Sequence, residues 1–391
     1  MKIAQVISTP PFAWATGGCA RIAHELSKEL ANKGHEVTII TTDLYKPDQR
    51  YINTKNPEYI DGIRFFRFRC ASNWLAWKHK LYISPKLLRY LKINLQEYEV
   101  VHLQDLISIQ AIITSKYCKK YKIPYILTAH GSIPWLYKKS ILSWVFNRLW
   151  GHNILTNADK ITVFTEEEAE QCRYMKVSED KIKLIPNGID LNKYKNLPEK
   201  MEFRNKYTIN KNKKIILYIG RIEQSKGIDL LIESFSLLAP EMDDVLLLIT
   251  GPDDGYLNTL NKLVLASGIE DKVIFTGFLE EKDKIRAYVD ADVHVSPRQW
   301  EPFGLTLLES CACGTPVICS KGCGIANVID NQVGIAVPYN KYDMKTALMR
   351  VLKDDETKRK FGENGKLIVQ EQFSFEKIVE EVEKTYKEFK R

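Results

Sequence analysis

The sequence predicts an α/β protein built from two doubly wound, Rossmann-like domains. Short, near-continuous apolar runs alternate with helical stretches along the whole chain, which is the signature of parallel strands covered on both faces. The pattern restarts after a polar, turn-rich segment near residue 190. At 391 residues the chain is also too long for one ordinary core.

In the first half the strand-like runs are residues 3–7, 36–41, 100–103, 125–128 and 160–164. In the second they are residues 214–219, 245–250, 272–275, 293–296 and 315–319. Between the halves, Ile185-Pro186-Asn187-Gly188-Ile189-Asp190 is a cluster of turn residues, followed by a polar stretch to Lys213. The expected organisation is therefore a domain over 1–190, a second over 191–372, and a charged amphipathic helix over 373–391 that packs back across the hinge. No 20–50-residue repeat is visible, which excludes a solenoid.

Composition narrows the function classes. No run reaches the 18 or so apolar residues of a membrane span. The first apolar run is too short for a signal sequence and meets Pro10-Pro11, so it reads as the first buried strand of a cytoplasmic protein. Eight scattered cysteines lack a C-x-x-C framework and read as reduced, buried thiols, including Cys311 and Cys313. The net charge of +8 favours anionic partners. Nucleic acid is not among those expected, because no helix-turn-helix, zinc-finger or RNP sequence is present.

Ligands of open α/β sheets bind beyond the carboxyl ends of strands, so the loops after strands carry the chemistry. Gly17-Gly18 follows the first strand and precedes a helix over 20–32, where glycine lets backbone amides approach a phosphate. The stretch is neither G-x-G-x-x-G nor a P-loop, which counts against a dinucleotide fold. His130, after the run 125–128, fits either a structural histidine or one that hydrogen-bonds a substrate hydroxyl or stabilises developing charge. Arg221 and Lys226, after the run 214–219, put two cations at one strand end, and a diphosphate is the target that a planar fork and a point charge suit.

The fourth loop holds two glutamates, Glu301 and Glu309, with seven residues between them. Pro302 predicts a helix start just after Glu301, with free amides near Phe303, Gly304 and Leu305 that attract an anion. A helix would carry Glu309 about 12 Å further along, roughly the length of a nucleotide-sugar. Asp290-Ala291-Asp292 resembles a metal-binding D-x-D but opens a buried strand and reads as structural, and Asp253-Asp254 reads as a turn.

Taken in order, Gly17-Gly18, His130, Pro186-Asn187-Gly188-Ile189-Asp190, Gly220-Arg221 with Lys226-Gly227, Glu301-x7-Glu309 and Gly314-Thr315-Pro316-Val317 resemble the retaining glycosyltransferases of family 4 across essentially the whole chain. The resemblance implies the two-lobed GT-B fold, with both domains facing a cleft, and transfer of a hexose from a nucleoside-diphosphate sugar to a hydroxyl acceptor. Arg221 and Lys226 would bind the donor diphosphate; Gly18 and the amides near Phe303, Gly304 and Leu305 would contact phosphate or sugar hydroxyls. Glu301 would hold the hexose, Glu309 the ribose, and His130 the side of the sugar's primary hydroxyl. No metal or other cofactor is expected, and retention implies same-face attack, with the leaving diphosphate taking the acceptor's proton.

Aromatic residues interleaved with cations over 67–92 and 135–150 fit either core packing with a solvated rim or an interfacial site. The expected partners are thus the donor, a glycan or lipid-linked acceptor, and an anionic membrane surface on the inner face. A nucleotide-sugar epimerase or hydrolase on the same fold, and a non-catalytic nucleotide-sugar-binding protein, remain alternatives at this point.

Overall fold

The computed structural model describes residues 1–11, 18–45, 49–51 and 56–389. The chain forms two units, one of residues 1–186 with 376–391, the other of residues 187–375. The division falls at Pro186/Asn187 rather than 190, and residues 373–375 stay with the second unit. The reason is local: Ile189 donates its amide to the Phe373 carbonyl and accepts from the Phe375 amide, both at 3.0 Å.

The first unit carries an eight-stranded sheet in the order β3-β4-β2-β1-β5-β6-β7-β8. Its strands are β1 (Lys2–Val6), β2 (Glu36–Thr42), β3 (Glu58–Ile60), β4 (Ile63–Phe68), β5 (Val100–Leu103), β6 (Tyr125–Thr128), β7 (Lys160–Val163) and β8 (Ile182–Leu184). All pairings are parallel except β3 with β4. That edge hairpin turns on Asp61 and Gly62, both at positive φ (51° and 75°), the backbone a two-residue type I′ turn demands. β2 and β5 are buried almost throughout, which is why they read as apolar runs.

The second unit carries a six-stranded, wholly parallel sheet ordered β11-β10-β9-β12-β13-β14. These are β9 (Lys214–Ile219), β10 (Val245–Thr250), β11 (Val273–Gly277), β12 (Val293–Ser296), β13 (Val317–Ser320) and β14 (Gly334–Val337). In this unit's own numbering that order is 3-2-1-4-5-6, the doubly wound arrangement whose direction reverses between the first and fourth strands. The switch point therefore lies between β9 and β12. In the first unit the corresponding point lies between β1 and β5. Each unit has its own apolar core, one around Val6, Leu103 and Leu127, the other around Ile216, Leu247 and Val295.

The last helix, Phe375–Lys387, belongs almost wholly to the first unit. Its Tyr386 is fully buried and meets Gln5 and His102, while Glu383 reaches His35 and Glu388 reaches Lys160 and Lys183.

Candidate active site

In the second unit, the loops leaving β9 and β12 at the switch point bring most of the expected residues together. The β9 loop can approach its neighbours because glycines remove side chains: a Cβ on Gly251 would sit 1.8 Å from the Gly220 carbonyl oxygen, and one on Gly227 would sit 2.5 Å from the Pro297 carbonyl. Gly227 also takes φ +69 to turn the chain into the helix Ile228–Leu238.

Lys226 Nζ lies 3.3 Å from Glu301 Oε2, and Arg298 Nη1 lies 3.2 Å from the same oxygen. Arg221 stands apart from that pair: its Nη1 is held by Glu223 at 2.7 Å and by Asp254 at 2.5 Å. All three cations nonetheless act on one group. Burial works against the Glu223 carboxylate, but the Ser225 hydroxyl and the charges of Arg221, Lys226 and Arg298 outweigh it and hold the carboxyl below its usual range. Three cations and three carboxylates, Glu301, Glu223 and Asp254, thus meet at the strand ends.

The helix after Glu301 begins later than Pro302 predicts. It spans Leu305–Ala312, and Gly304, at φ +93, caps it. Glu301 is instead tied into a β-bridge with Cys323: its amide donates to the Gly322 carbonyl and its carbonyl accepts from Gly324. The free amides therefore belong to the turn after Gly304, and only the last four steps to Glu309 climb a helix. Phe303 is buried, so its backbone rather than its ring is what a ligand could meet.

Glu309 is only 2% exposed. Lys284 donates to its Oε1 at 3.2 Å and the Tyr288 hydroxyl to its Oε2 at 3.1 Å, both from the helix Glu281–Asp290. Next to them His294, on β12, is fully buried and donates Nδ1–H to the Leu217 carbonyl; burial pushes its imidazole down to about 4. Sequence reasoning missed Arg298, Lys284 and Tyr288. Arg298 stands three residues before Glu301 and carried a usable signal, whereas Lys284 and Tyr288 come from another element with no local mark.

Asp290 and Asp292 are consumed structurally. Asp290 accepts the amides of Met201, Phe203 and Arg204; Asp292 accepts the Ile215 amide and pairs with Arg204 and Lys358. Among the described residues no group of three or more His, Cys, Asp or Glu is arranged to hold a metal.

The first unit holds the remaining residues. Gly18 is the first residue of the helix Gly18–Asn32, two residues earlier than expected; Gly17 lies outside the described residues. At the β1/β5 switch point the Ser8 amide donates to Asp105 at 2.8 Å. His130 follows β6 at φ 49, with Gly131 behind it at φ 74, and a non-glycine residue held in that region is a mark of local strain. Glu168 secures the turn from below, accepting the amides of Phe164, at 2.7 Å, and Gly131. The half-buried His130 ring packs 5.3 Å from Phe164 and meets Gln104 Oε1 through Nε2 at 2.9 Å.

The aromatic stretch after His130 divides in two. Trp135 and Phe146 turn inward, their rings 5.6 Å apart against the core. Ile141, Leu142, Trp144 and Leu149 are exposed, and Lys138, Lys139 and Arg148 are exposed beside them in sequence.

A pair of doubly wound domains with cations and a glutamate at a strand switch point is a scaffold for anionic, nucleotide-type ligands. Residues 199–368 match the family model of glycosyl transferases group 1, and residues 16–193 that of Glycosyltransferase Family 4. The chain is 30% identical to an uncharacterized glycosyltransferase of Methanocaldococcus jannaschii, MJ1607, over 99% of this chain and 98% of that one. It is 28% identical to the alpha-monoglucosyldiacylglycerol synthase of Streptococcus pneumoniae over 86% of this chain and 75% of the relative. Its fold matches that of HepE from Anabaena, solved with UDP and glucose, with a TM-score of 0.80 at 17% identity over 99% and 100% of the two chains. The protein belongs to the group 1, family 4 glycosyltransferases and has their GT-B fold.

Proposed function

We propose that the protein is a retaining hexosyltransferase that takes its sugar from a nucleoside-diphosphate donor and gives it to a hydroxyl of a lipid-linked acceptor at an anionic membrane surface. The observation that carries the donor side is the convergence of Lys226, Arg298 and Arg221 at the β9/β12 switch point, around Glu301 and Glu223.

Breaking the bond between the sugar C1 and the diphosphate oxygen leaves positive charge on the sugar and negative charge on the departing diphosphate. Fixed cations aimed at those oxygens lower the barrier because they need no reorganisation as charge develops. Lys226 and Arg221 supply that charge with the amides beyond Gly304, and in this reading no metal is required. Glu301 holds the hexose, Glu309 the ribose, Gly17 and Gly18 the phosphate or sugar side, and His130 a sugar hydroxyl. The acceptor oxygen bonds to C1 on the face the diphosphate leaves, and its proton passes to a leaving phosphate oxygen. Retention follows.

The lipid-linked acceptor is supported by the exposed apolar and cationic residues over 138–149 and by the name of the diacylglycerol-glucosylating relative. A thermal-shift screen of UDP-, GDP- and ADP-hexoses tests the donor, since a ligand bound to the native state alone raises its stability. Transfer assays with the hit, in chelator, then read the anomeric configuration of the product by NMR. Inversion at C1, or activity abolished by chelator and restored by a divalent metal, would falsify the mechanism.

A further inference from the structure

The first unit contains a buried chain of side-chain hydrogen bonds that starts at His130 and ends on the strands around it. His130 Nε2 meets Gln104 Oε1 at 2.9 Å; Gln104 Nε2 donates to Gln5 Oε1 at 2.8 Å; Gln5 Nε2 donates to the Tyr386 hydroxyl at 3.0 Å. The Tyr386 oxygen lies 2.5 Å from His102 Nδ1, and His102 Nε2 lies 2.7 Å from Thr128 Oγ1, which in turn meets Thr162 Oγ1. Gln5, Gln104, His102, Thr128, Thr162 and Tyr386 are all buried, so each group must be satisfied within the chain.

The polarity of such a chain is set throughout by its amides. Gln104 offers its oxygen to His130, so the proton between them belongs to Nε2. Gln5 donates to Tyr386, whose own proton then goes to His102 Nδ1, leaving His102 Nε2–H to donate to Thr128. We infer that Gln104, Gln5 and Tyr386 are positioning residues that lock His130 as its neutral Nε2–H tautomer, leaving Nδ1 as a hydrogen-bond acceptor for a substrate hydroxyl. The last clause rests on the proposed contact between His130 and the donor sugar. The unusual feature is the source of control: Tyr386 lies on the last helix, more than 250 residues after His130 in the chain. Burial keeps both rings neutral, with His130 pushed down to about 4 and His102, by burial and then by the neighbouring His130 imidazole, which disfavours a second proton, to about 3.

Long-range 1H–15N correlation of the full-length protein labelled with 15N-histidine tests this at pH 7, with the His130 signal assigned by its loss in His130→Gln. The expected ring is neutral and protonated on Nε2. Gln104→Leu and Tyr386→Phe should each raise the Nδ1–H population and lower transfer kcat about tenfold, the worth of one hydrogen bond, with KM nearly unchanged. Tyr386→Phe removes a single oxygen and keeps the test open where Gln104→Leu does not fold. An Nδ1–H tautomer or an imidazolium in the unmodified protein overturns the inference, as does a His130 signal unmoved in every folded variant. If the tautomer behaves as expected but His130→Gln transfers sugar normally, the relay stands and the sugar contact at His130 is wrong.

Discussion

Lys226 Nζ sits 3.3 Å from Glu301 Oε2, which joins the loop after β9 to the loop after β12 at the point where the second sheet reverses direction. Both side chains are about one-fifth exposed, so the pair contributes at most about 1 kcal/mol to folding. Its value lies in placing a cation where the donor diphosphate is proposed to lie. Lys226→Ala should therefore leave the thermal midpoint within a few degrees of the unmodified protein and lower kcat by about 10²–10³-fold. Lys226→Arg should retain an intermediate rate, because the charge survives while its geometry changes. Steady-state kinetics beside a thermal melt separate the two effects, and a large loss of stability with intact turnover would contradict the assignment.

A different balance governs Glu309 and Lys284. Here the carboxylate is 3% and the ammonium 11% exposed, and removing one partner leaves the other charge in a place that disfavours it. Lys284→Met is expected to cost about 3–5 kcal/mol in urea unfolding. Adding Glu309→Gln should recover most of that loss, since the double variant carries no stranded charge. The recovered protein should still bind donor poorly, because Glu309 is assigned to the ribose. A single-variant cost below about 1 kcal/mol would show that the pair is not electrostatically coupled.

Much of this was legible in the sequence, for physical reasons. The buried parallel strands are apolar on both faces, so β5, β6, β9, β10 and β12 stand out at the bounds the structure gives them. The edges were harder. β3 is three residues long and half exposed, and β8 has no buried residue, so neither produces an apolar run. The hairpin signal at Asp61-Gly62 was nevertheless present, as a two-residue turn that requires positive φ twice. At the site, Glu301 and Glu309 could be found from their spacing. The partners of Glu309 could not, since Lys284 and Tyr288 reach it across 25 and 21 positions; nor could the contact of Tyr386 with His102, across 284. Pro302 misplaced the helix start because Gly304, not Pro302, provides the turn into it.

Desolvated histidines make stability depend on pH. Burial depresses His102 to about 3 and both His294 and the half-buried His130 to about 4, while the unfolded chain protonates near 6.5. Above about pH 6.5 neither state binds the proton and the stability is fully present. As pH falls from there toward the folded values, the unfolded state takes up protons that the folded state refuses, so stability is lost. The limiting slope is about 1.4 kcal/mol per pH unit for each histidine. Burial raises the Asp105 and Glu168 carboxyls instead, which works in the opposite direction, so the imidazole contribution is read as the difference between the unmodified protein and a histidine variant. Measured by urea unfolding from pH 7 to 5.5, His294→Asn should reduce the slope by about one proton. A slope in His294→Asn equal to that of the unmodified protein would show that this ring titrates normally.

The proposed membrane contact makes the most separable prediction, because its apolar side chains are largely exposed. Ile141 is 84% and Leu142 72% exposed on the short helix Ile141–Phe146, with Lys138, Lys139 and Arg148 beside them. Exposed apolar side chains gain by entering the acyl boundary, and each nearby cation adds about 1 kcal/mol at an anionic surface. The protein should co-sediment with phosphatidylglycerol vesicles at low salt, bind phosphatidylcholine vesicles less, and dissociate as salt rises. Ile141→Glu with Leu142→Glu should lower vesicle affinity at least tenfold while changing folding stability by no more than about 0.5 kcal/mol per site, as expected for exposed positions. The same double variant should transfer sugar to a detergent-soluble acceptor at the unmodified rate, and lose rate only when the acceptor is embedded in vesicles. Equal binding to anionic and neutral vesicles, or no binding at low salt, would remove the membrane from the proposed function and leave the donor chemistry untouched.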